Sequence, residues 1–142
     1  MTMTYLKSMK KLFTLCLFML FLMGNLAQAE KQDKVVLHLN NPLKMTMLVN
    51  NVKNLRKMLS KDTKIAIIVN GPAVARFSNT FSSRKQLDEI LQQKATVNIC
   101  SFALKNKNIK KEQLFEGVTY LEDGGVAKLV ELQQKGYAYI KP

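Results

Sequence analysis

The chain has 142 residues and carries 22 Lys and Arg residues against 10 Asp and Glu residues, a formal net charge of +12. This length accommodates one domain, and no second domain fits. With one His and two Cys, the chain cannot fill a zinc site without carboxylates that no motif places, so we expect no metal and no cofactor.

The first 29 residues have the three parts of a secretory signal peptide. A stretch with three lysines precedes the apolar residues 12–23, and small residues follow at Ala27 and Ala29. These twelve apolar residues are fewer than the roughly 20 that span a bilayer, which favours a removable signal over an anchor. We therefore expect cleavage after Ala29 and an exported, periplasmic protein of residues 30–142, with no membrane anchor after cleavage.

Cleavage would remove Cys16 and leave Cys100 as the only thiol. Of the 22 basic residues, three would be lost, so 19 remain against 10 acidic ones and the net charge is near +9. Because an exported protein rarely meets nucleic acid, we interpret most of this charge as a solvated surface and expect no nucleic-acid partner. The densest basic group, which we call the lysine cluster, consists of Lys105, Lys107, Lys110 and Lys111.

The first half of the domain alternates between strand and helix patterns. Residues 35–39 are apolar and β-branched and stop at Asn40, which predicts a strand. Residues 44–60 repeat apolar side chains every three or four positions, which predicts an amphipathic helix. Residues 65–69 are apolar throughout and end at Asn70, as a strand covered on both faces does.

The second half continues this alternation. A helix is predicted from Arg84, because Ser83 and Gln86 have the spacing of a capping box. Further strands are predicted at residues 95–100, 118–121 and 137–140, and further helices at 110–115 and 126–133. Five strands separated by helices predict an α/β sandwich with a mostly parallel five-stranded sheet.

In such sheets ligands bind beyond the carboxyl ends of the strands, where the connecting loops meet. The candidates for a pocket at this edge are Asn40, Asn70, Gly71, Ser101 and Gly125. Cys100 is the strong nucleophile there, but it reacts only as the thiolate. A helical turn at residues 101–104 and the lysine cluster would both stabilise that anion. Buried cysteines also serve as small apolar filler, and position alone does not choose between the two roles.

His38, the single histidine, lies in the first predicted strand. A catalytic Cys/His pair would need it within hydrogen-bond reach of Cys100, and we favour instead a histidine satisfied by its neighbours. Phosphate-binding loops are absent as motifs: residues 70–75 contain one glycine, and residues 123–125 are too short. We interpret the first as a turn and the second as the start of a helix.

Several segments stand in an order and spacing that is specific as a set. They are VVLHLN (35–40), NVKNL (51–55), IAIIVNGP (65–72), VNIC (97–100), NI (108–109), GV (117–118), GVA (125–127) and QQKGYAYIKP (133–142). Together they cover nearly all of residues 30–142. In these segments the chain resembles the DsrE/DsrF-like family of sulfur-relay proteins, and in particular its small exported single-domain members.

The resemblance implies a flavodoxin-like, three-layer α/β/α sandwich that assembles into homo-oligomers. In the family's cytoplasmic members, a cysteine at the end of this strand accepts a sulfane sulfur as a persulfide and passes it to the next carrier. By position that role falls on Cys100, with a sulfur-donor or sulfur-acceptor protein as partner.

Three functions therefore stand as hypotheses. The first is an exported sulfur-relay or thiol-based carrier that forms a persulfide on Cys100. The alternative is a non-catalytic module that binds a small ligand or a protein at the carboxyl edge, with Cys100 as packing. A redox enzyme is the third, and with one cysteine it would need a partner to resolve a mixed disulfide.

Overall fold

The structure, a computed structural model, describes residues 33–142. The predicted signal peptide, its cleavage site and Cys16 lie outside the described residues. In the described part the strands are β1 (Lys34–Leu39), β2 (Lys64–Val69), β3 (Thr96–Cys100), β4 (Val118–Leu121) and β5 (Ala138–Ile140). The α-helices there are α1 (Met45–Met58), α2 (Arg84–Leu91), α3 (Ser101–Asn106) and α4 (Gly125–Gln134). Short 3-10 helices span Pro42–Lys44, Gly71–Phe77 and Lys111–Gln113.

The five strands form one sheet in the order β4-β3-β2-β1-β5, and every pairing is parallel. The chain steps from β1 to β4 in one direction and then returns across the sheet to place β5 beside β1. Because crossovers between parallel strands are right-handed, opposite directions of travel put the helices on opposite faces. The predicted three-layer, flavodoxin-like α/β/α sandwich with a five-stranded sheet is confirmed.

The two faces of the sheet are covered unequally. On one face, side chains such as Leu37 and Ile67 pack against α1, α2 and α3 in the larger apolar cluster. On the other face, Ile68 and its neighbours pack against Leu129 and Leu132 of α4 in a much smaller cluster. Within residues 33–142, α4 is the one α-helix that packs on this second face.

Ion pairs brace α4 along its exposed side. Hydrogen bonds from Lys128 and Lys135 lower the pKa of Glu131 from its ordinary value near 4.5 to about 2. A depressed carboxylate pKa stabilises the folded state above the ordinary value, and this contribution is lost as the pH falls towards 2. The helix that covers the second face is therefore braced through the neutral and mildly acidic range.

The segment after α3 differs from its prediction. A helix at residues 110–115 is wrong, since only a 3-10 turn at Lys111–Gln113 forms there. The chain leaves the helical path because Phe115 N donates to Phe77 O at 2.9 Å and Leu114 pairs with Ser78 in an antiparallel bridge.

The capping box before α2 is also wrong. Ser83 is the N-cap residue, but its side chain makes no capping hydrogen bond. The side chain of Gln86 is engaged elsewhere, because it accepts from Arg76 Nη2 at 3.2 Å and donates to Thr46 Oγ1 at 3.3 Å. Helix–helix contacts thus override the local spacing.

Arg56 joins three segments at the amino edge of the sheet. Its Nε and Nη2 donate to the carbonyl oxygen of Gln93 at 3.0 and 2.7 Å. Its Nη1 donates to the carbonyl oxygen of Lys61 at 2.7 Å and to that of Thr63 at 3.2 Å. One guanidinium therefore ties the end of α1 to the loop before β2 and to the loop before β3.

We expect Arg56→Lys to lower the free energy of unfolding by about 1.5–3 kcal/mol, because a single ammonium cannot reproduce the forked donors of a guanidinium. Urea denaturation followed by circular dichroism measures the change. Arg84→Lys is the matched control, since Arg84 makes an exposed ion pair with Asp88 that lysine retains and a single exposed bond to a backbone carbonyl, Glu116 O at 3.2 Å, so its loss of stability stays near 0.5 kcal/mol. Equal losses in the two variants would contradict this role for Arg56.

Candidate functional site

Cys100 is the last residue of β3 and lies opposite Leu121, the last residue of β4. Helix α3 leaves β3 on one face of the sheet, whereas α4, which follows β4, covers the other face. The carboxyl ends of β3 and β4 therefore flank the topological switch point, where ligands bind in open parallel sheets. Cys100 is a free cysteine with 6% of its surface exposed, and it also contacts the larger apolar cluster.

The start of α4 lies directly against Cys100. A Cβ atom added to Gly125 would be 3.2 Å from Cys100 Cβ and 3.2 Å from Ile68 Cγ2. A Cβ atom added to Gly124 would be 3.8 Å from Cys100 Sγ and 2.6 Å from Phe102 Cδ2, and the φ of Gly124 is +81°. Two residues without side chains thus let the helix start approach the cysteine closely, and the predicted site residue Gly125 lies next to it.

Two helix amino ends converge on the sulfur. Cys100 is the N-cap residue of α3, and α4 begins at Gly125 beside it. Neither helix has a side-chain capping bond or an acidic residue in its first turn. The amino ends of both helices, which carry the positive ends of the helix dipoles, therefore lie next to Cys100, while the Cys100 side chain itself makes no capping hydrogen bond to α3.

The remaining predicted residues take different places. Ser101 is buried, and its Oγ donates to the carbonyl oxygen of Glu122 at 3.0 Å, which joins the end of β3 to the end of β4. Gly71 has a φ of +54°, and a Cβ atom added there would be 3.5 Å from Asn40 O. Asn40 follows β1, two strands from β3 and so roughly 10 Å away. Asn70 and Gly125 are the predicted pocket residues brought to Cys100, and Asn40 and Gly71 lie further along the edge.

A chain of hydrogen bonds crosses the sheet on the α4 side. His38 Nε2 is 2.9 Å from Asn70 Oδ1, and His38 Nδ1 is 2.8 Å from the Tyr139 hydroxyl. The prediction of a histidine satisfied by its neighbours is confirmed. In the described part of the chain, no hydrogen bond joins His38 to Cys100.

Tyr139 is a site residue that sequence reasoning missed. It lies in β5, which pairs with β1 at the sheet edge, and Tyr139 is in register with Val36. Side chains alternate along a strand, so the sequence alone predicts that His38 and Val36 of β1 lie on the same face of the sheet. The hydrogen bond between His38 and Tyr139 could not be predicted, because it depends on β5 lying next to β1.

The lysine cluster flanks the site on the α3 and β4 side. Lys105 Nζ lies 5.8 Å from the ring centroid of Phe102, an exposed aromatic residue two positions after Cys100. Lys111 Nζ lies 4.8 Å from the ring of Tyr120 and 3.9 Å from Glu122 Oε1. Among residues 33–142, Lys105, Lys107 and Lys110 have no carboxylate partner, so their charge is available to an approaching anion.

Two surface depressions lie away from Cys100. One, of about 570 Å³, is lined by Leu43 and Met47 among others, and the second, of about 320 Å³, lies at the amino edge near Arg56 and Lys94. In residues 33–142 no group of three or more His, Cys, Asp and Glu side chains is placed to hold a metal ion. No helix in this part is long and apolar enough to cross a bilayer.

We expect Gly125→Ala to lower the free energy of unfolding by about 1–3 kcal/mol, because its Cβ overpacks the contact with Cys100 and Ile68. Chemical denaturation measures this loss. Ala127→Ser adds one heavy atom at an exposed position of the same helix and is expected to cost at most about 0.5 kcal/mol. If Gly125→Ala is as stable as the control, the start of α4 is not closely packed against Cys100.

Comparison with known proteins identifies the fold. No family model matches the chain, and no curated protein matches it. MTH1491, a protein of unknown function from Methanobacterium thermoautotrophicum, is 26% identical with a TM-score of 0.72, and the match covers 78% of this chain and 100% of that one. BT1422, a conserved protein of unknown function from Bacteroides thetaiotaomicron, is 21% identical with a TM-score of 0.61, covering 78% and 95%. The YchN protein of E. coli is 16% identical with a TM-score of 0.61, and the match covers 78% of this chain and 99% of that one. In all three comparisons the shared fold extends over 95% or more of the other protein.

Proposed function

We propose that the protein is an exported, DsrE-like sulfur carrier in which Cys100 accepts a sulfane sulfur as a persulfide. The observation that carries the proposal is the placement of Cys100 at the switch point, with the uncapped amino ends of α3 and α4 against it. A persulfide is an anion near neutral pH, and backbone N–H groups stabilise an anion without neutralising it. The segments that resemble the DsrE/DsrF-like family support the same assignment.

The transfer needs one cysteine and no external oxidant. The Cys100 thiol loses its proton to solvent, and the thiolate attacks the sulfane sulfur of thiosulfate or of a polysulfide. A new S–S bond forms on Cys100 while the donor's S–S bond breaks, and sulfite or a shortened polysulfide leaves with the electron pair. Attack by an acceptor thiolate on the outer sulfur then restores the Cys100 thiolate.

The lysine cluster suits the donors that this reaction uses. Thiosulfate, polysulfides and acidic partner proteins are all anionic, and lysines without carboxylate partners raise the local concentration of such species. In the carrier, the cluster would bring a sulfur donor or acceptor to the β3–β4 end of the sheet.

A second function is favoured by the low exposure of Cys100. At 6% exposed and in contact with the larger apolar cluster, the thiol also fits a packing role. The protein would then be a binding module that holds a small ligand or a protein along the edge formed by Asn40, Gly71 and Gly125.

Exposure of the purified exported protein to polysulfide, followed by intact mass spectrometry, tests the carrier. We expect mass increments of about 32 Da, one for each sulfur atom, that a reducing thiol removes. The control Cys100→Ser is expected to show none, because the sulfur is held on that thiol. Equal increments in both proteins, or none in the wild type, would remove the carrier hypothesis.

Thiol titration of the native protein separates the two functions. A carrier reacts with a small alkylating reagent while folded, whereas a packing cysteine reacts only after denaturation. Reaction confined to the denatured protein would therefore support the binding module.

We also propose that the protein is a homo-oligomer through its α4 side. Val126 and Val130 lie one helical turn apart on α4 and are 65% and 50% exposed. Phe102 and Tyr139 are exposed large apolar side chains as well. Soluble monomers seldom leave extended apolar surface uncovered, and closed homo-oligomers are the usual way to cover it.

We expect the double variant Val126→Asp with Val130→Asp to shift the protein towards monomer in sedimentation velocity, because charges would be buried in the interface. Met58→Asp is the matched control, since Met58 is equally apolar and exposed but lies on α1, in the opposite layer. A wild-type monomer, or dissociation by the control alone, would overturn the proposed interface.

A further inference from the structure

Asn70 lies beside Cys100 on the same face of the sheet. Val69 is in register with Ile99, so the next residues, Asn70 and Cys100, are neighbours on adjacent strands about 5 Å apart. A Cβ atom added to Gly125 would be 3.5 Å from Asn70 Cβ and 3.2 Å from Cys100 Cβ, so both side chains face the start of α4. The amide of Asn70 is therefore within reach of a sulfur atom bound to Cys100.

One end of that amide is engaged and the other is free. Asn70 Oδ1 accepts from His38 Nε2, because an amide oxygen can only accept a hydrogen bond. His38 Nδ1 then accepts from the Tyr139 hydroxyl in the neutral ring. Within residues 33–142 the amide nitrogen of Asn70 has no hydrogen-bond partner, which leaves its two N–H groups for a ligand.

The same two hydrogen bonds survive protonation of the ring. In the imidazolium form, Nδ1 donates to the Tyr139 oxygen, and Nε2 still donates to Asn70 Oδ1. The orientation of the Asn70 amide is therefore held in both charge states of His38. Tyr139, His38 and Cys100 lie in β5, β1 and β3, and Asn70 directly follows β2, so the four residues stand side by side across the strand order β5-β1-β2-β3.

We propose that Asn70 donates a hydrogen bond from its amide to the sulfur anion on Cys100, and that His38 and Tyr139 are positioning residues that hold this amide. The inference rests on the proposed sulfur-carrier function and adds a neutral side-chain donor to the helix amino ends that lie beside Cys100. A neutral amide donor stabilises the thiolate and the persulfide anion by hydrogen bonding, without transferring a proton to the sulfur.

Two variants test the chain. Asn70→Asp keeps the shape but replaces both N–H groups with a carboxylate, and Tyr139→Phe removes only the hydroxyl that orients His38. Tyr137→Phe is the matched control. The Tyr137 hydroxyl has no hydrogen-bond partner within residues 33–142, and Tyr137 lies at the amino edge of the sheet, whereas Cys100 lies at the carboxyl edge.

The first readout is the equilibrium constant for sulfur exchange between Cys100 and glutathione, measured by intact mass. We expect Asn70→Asp to lower it by about tenfold or more, because the persulfide is more acidic than the thiol and so gains more from a charge-assisted hydrogen bond, which the variant replaces by repulsion. Tyr139→Phe is expected to lower it by about two- to fivefold through a less ordered amide, and Tyr137→Phe to leave it unchanged. Wild-type values in both Asn70→Asp and Tyr139→Phe would overturn the inference while leaving the carrier function intact.

The second readout is the rate of alkylation of the free Cys100 thiol as a function of pH. A carboxylate at position 70 disfavours the thiolate, so the midpoint of this profile is expected to rise in Asn70→Asp and to stay put in Tyr137→Phe. A purely structural role for Asn70 would change stability without moving this midpoint, and an unmoved midpoint overturns the contact. If the wild type accepts no sulfur, the carrier function is overturned and this profile still decides whether Asn70 contacts the sulfur.

If Asn70→Asp fails to fold, Tyr139→Phe carries the test through the exchange constant, because it alters an exposed residue of the edge strand β5. Circular dichroism and urea denaturation establish that each variant compared is folded.

Discussion

The site depends on the handedness of the connections between parallel strands. Since each crossover is right-handed, the chain can place α4 opposite α1, α2 and α3 only by reversing its direction across the sheet after β4. That reversal separates the loops that follow β3 and β4, and the crevice they leave is where Cys100 ends its strand. A fold in which β5 continued beyond β4 would cover Cys100 with a further helix on the same face as α3 and would remove the crevice.

The close approach of α4 to the sheet determines the surroundings of Cys100. Because Gly124 and Gly125 have no side chains, the start of α4 approaches Cys100 and Phe102 more closely than other residues would allow. The first turns of α3 and α4 contain no acidic side chain, and the carboxylates that precede α4, those of Glu122 and Asp123, are exposed to solvent. The lysine cluster adds positive charge further out, where it acts on the approach of a ligand and little on the bound sulfur.

Local patterns in the sequence predicted the layers well and the site in part. Continuous apolar runs such as residues 65–69 marked strands buried on both faces, and the ends of those strands located Cys100 and Asn70 at one edge. Local sequence patterns do not determine strand order, so the contact of His38 with Tyr139 could be identified only from the pairing of β5 with β1. The capping box at Ser83 and the helix at residues 110–115 failed for a related reason, because contacts with distant segments outweighed short-range spacing.

Low exposure of Cys100 and a carrier role are compatible on physical grounds. Hydrogen bonds to an anion are stronger where water is excluded, so a covered sulfur surrounded by N–H donors holds a negative charge better than an exposed one. Gly124 and Gly125 lie against Cys100, and Phe102, 56% exposed, lies beside Gly124. In the proposed carrier, a persulfide would place the reactive sulfur one bond beyond Cys100 Sγ. The 6% exposure of Cys100 would then shield the bound sulfur from solvent, and a reaction of the folded protein would require the start of α4 to move.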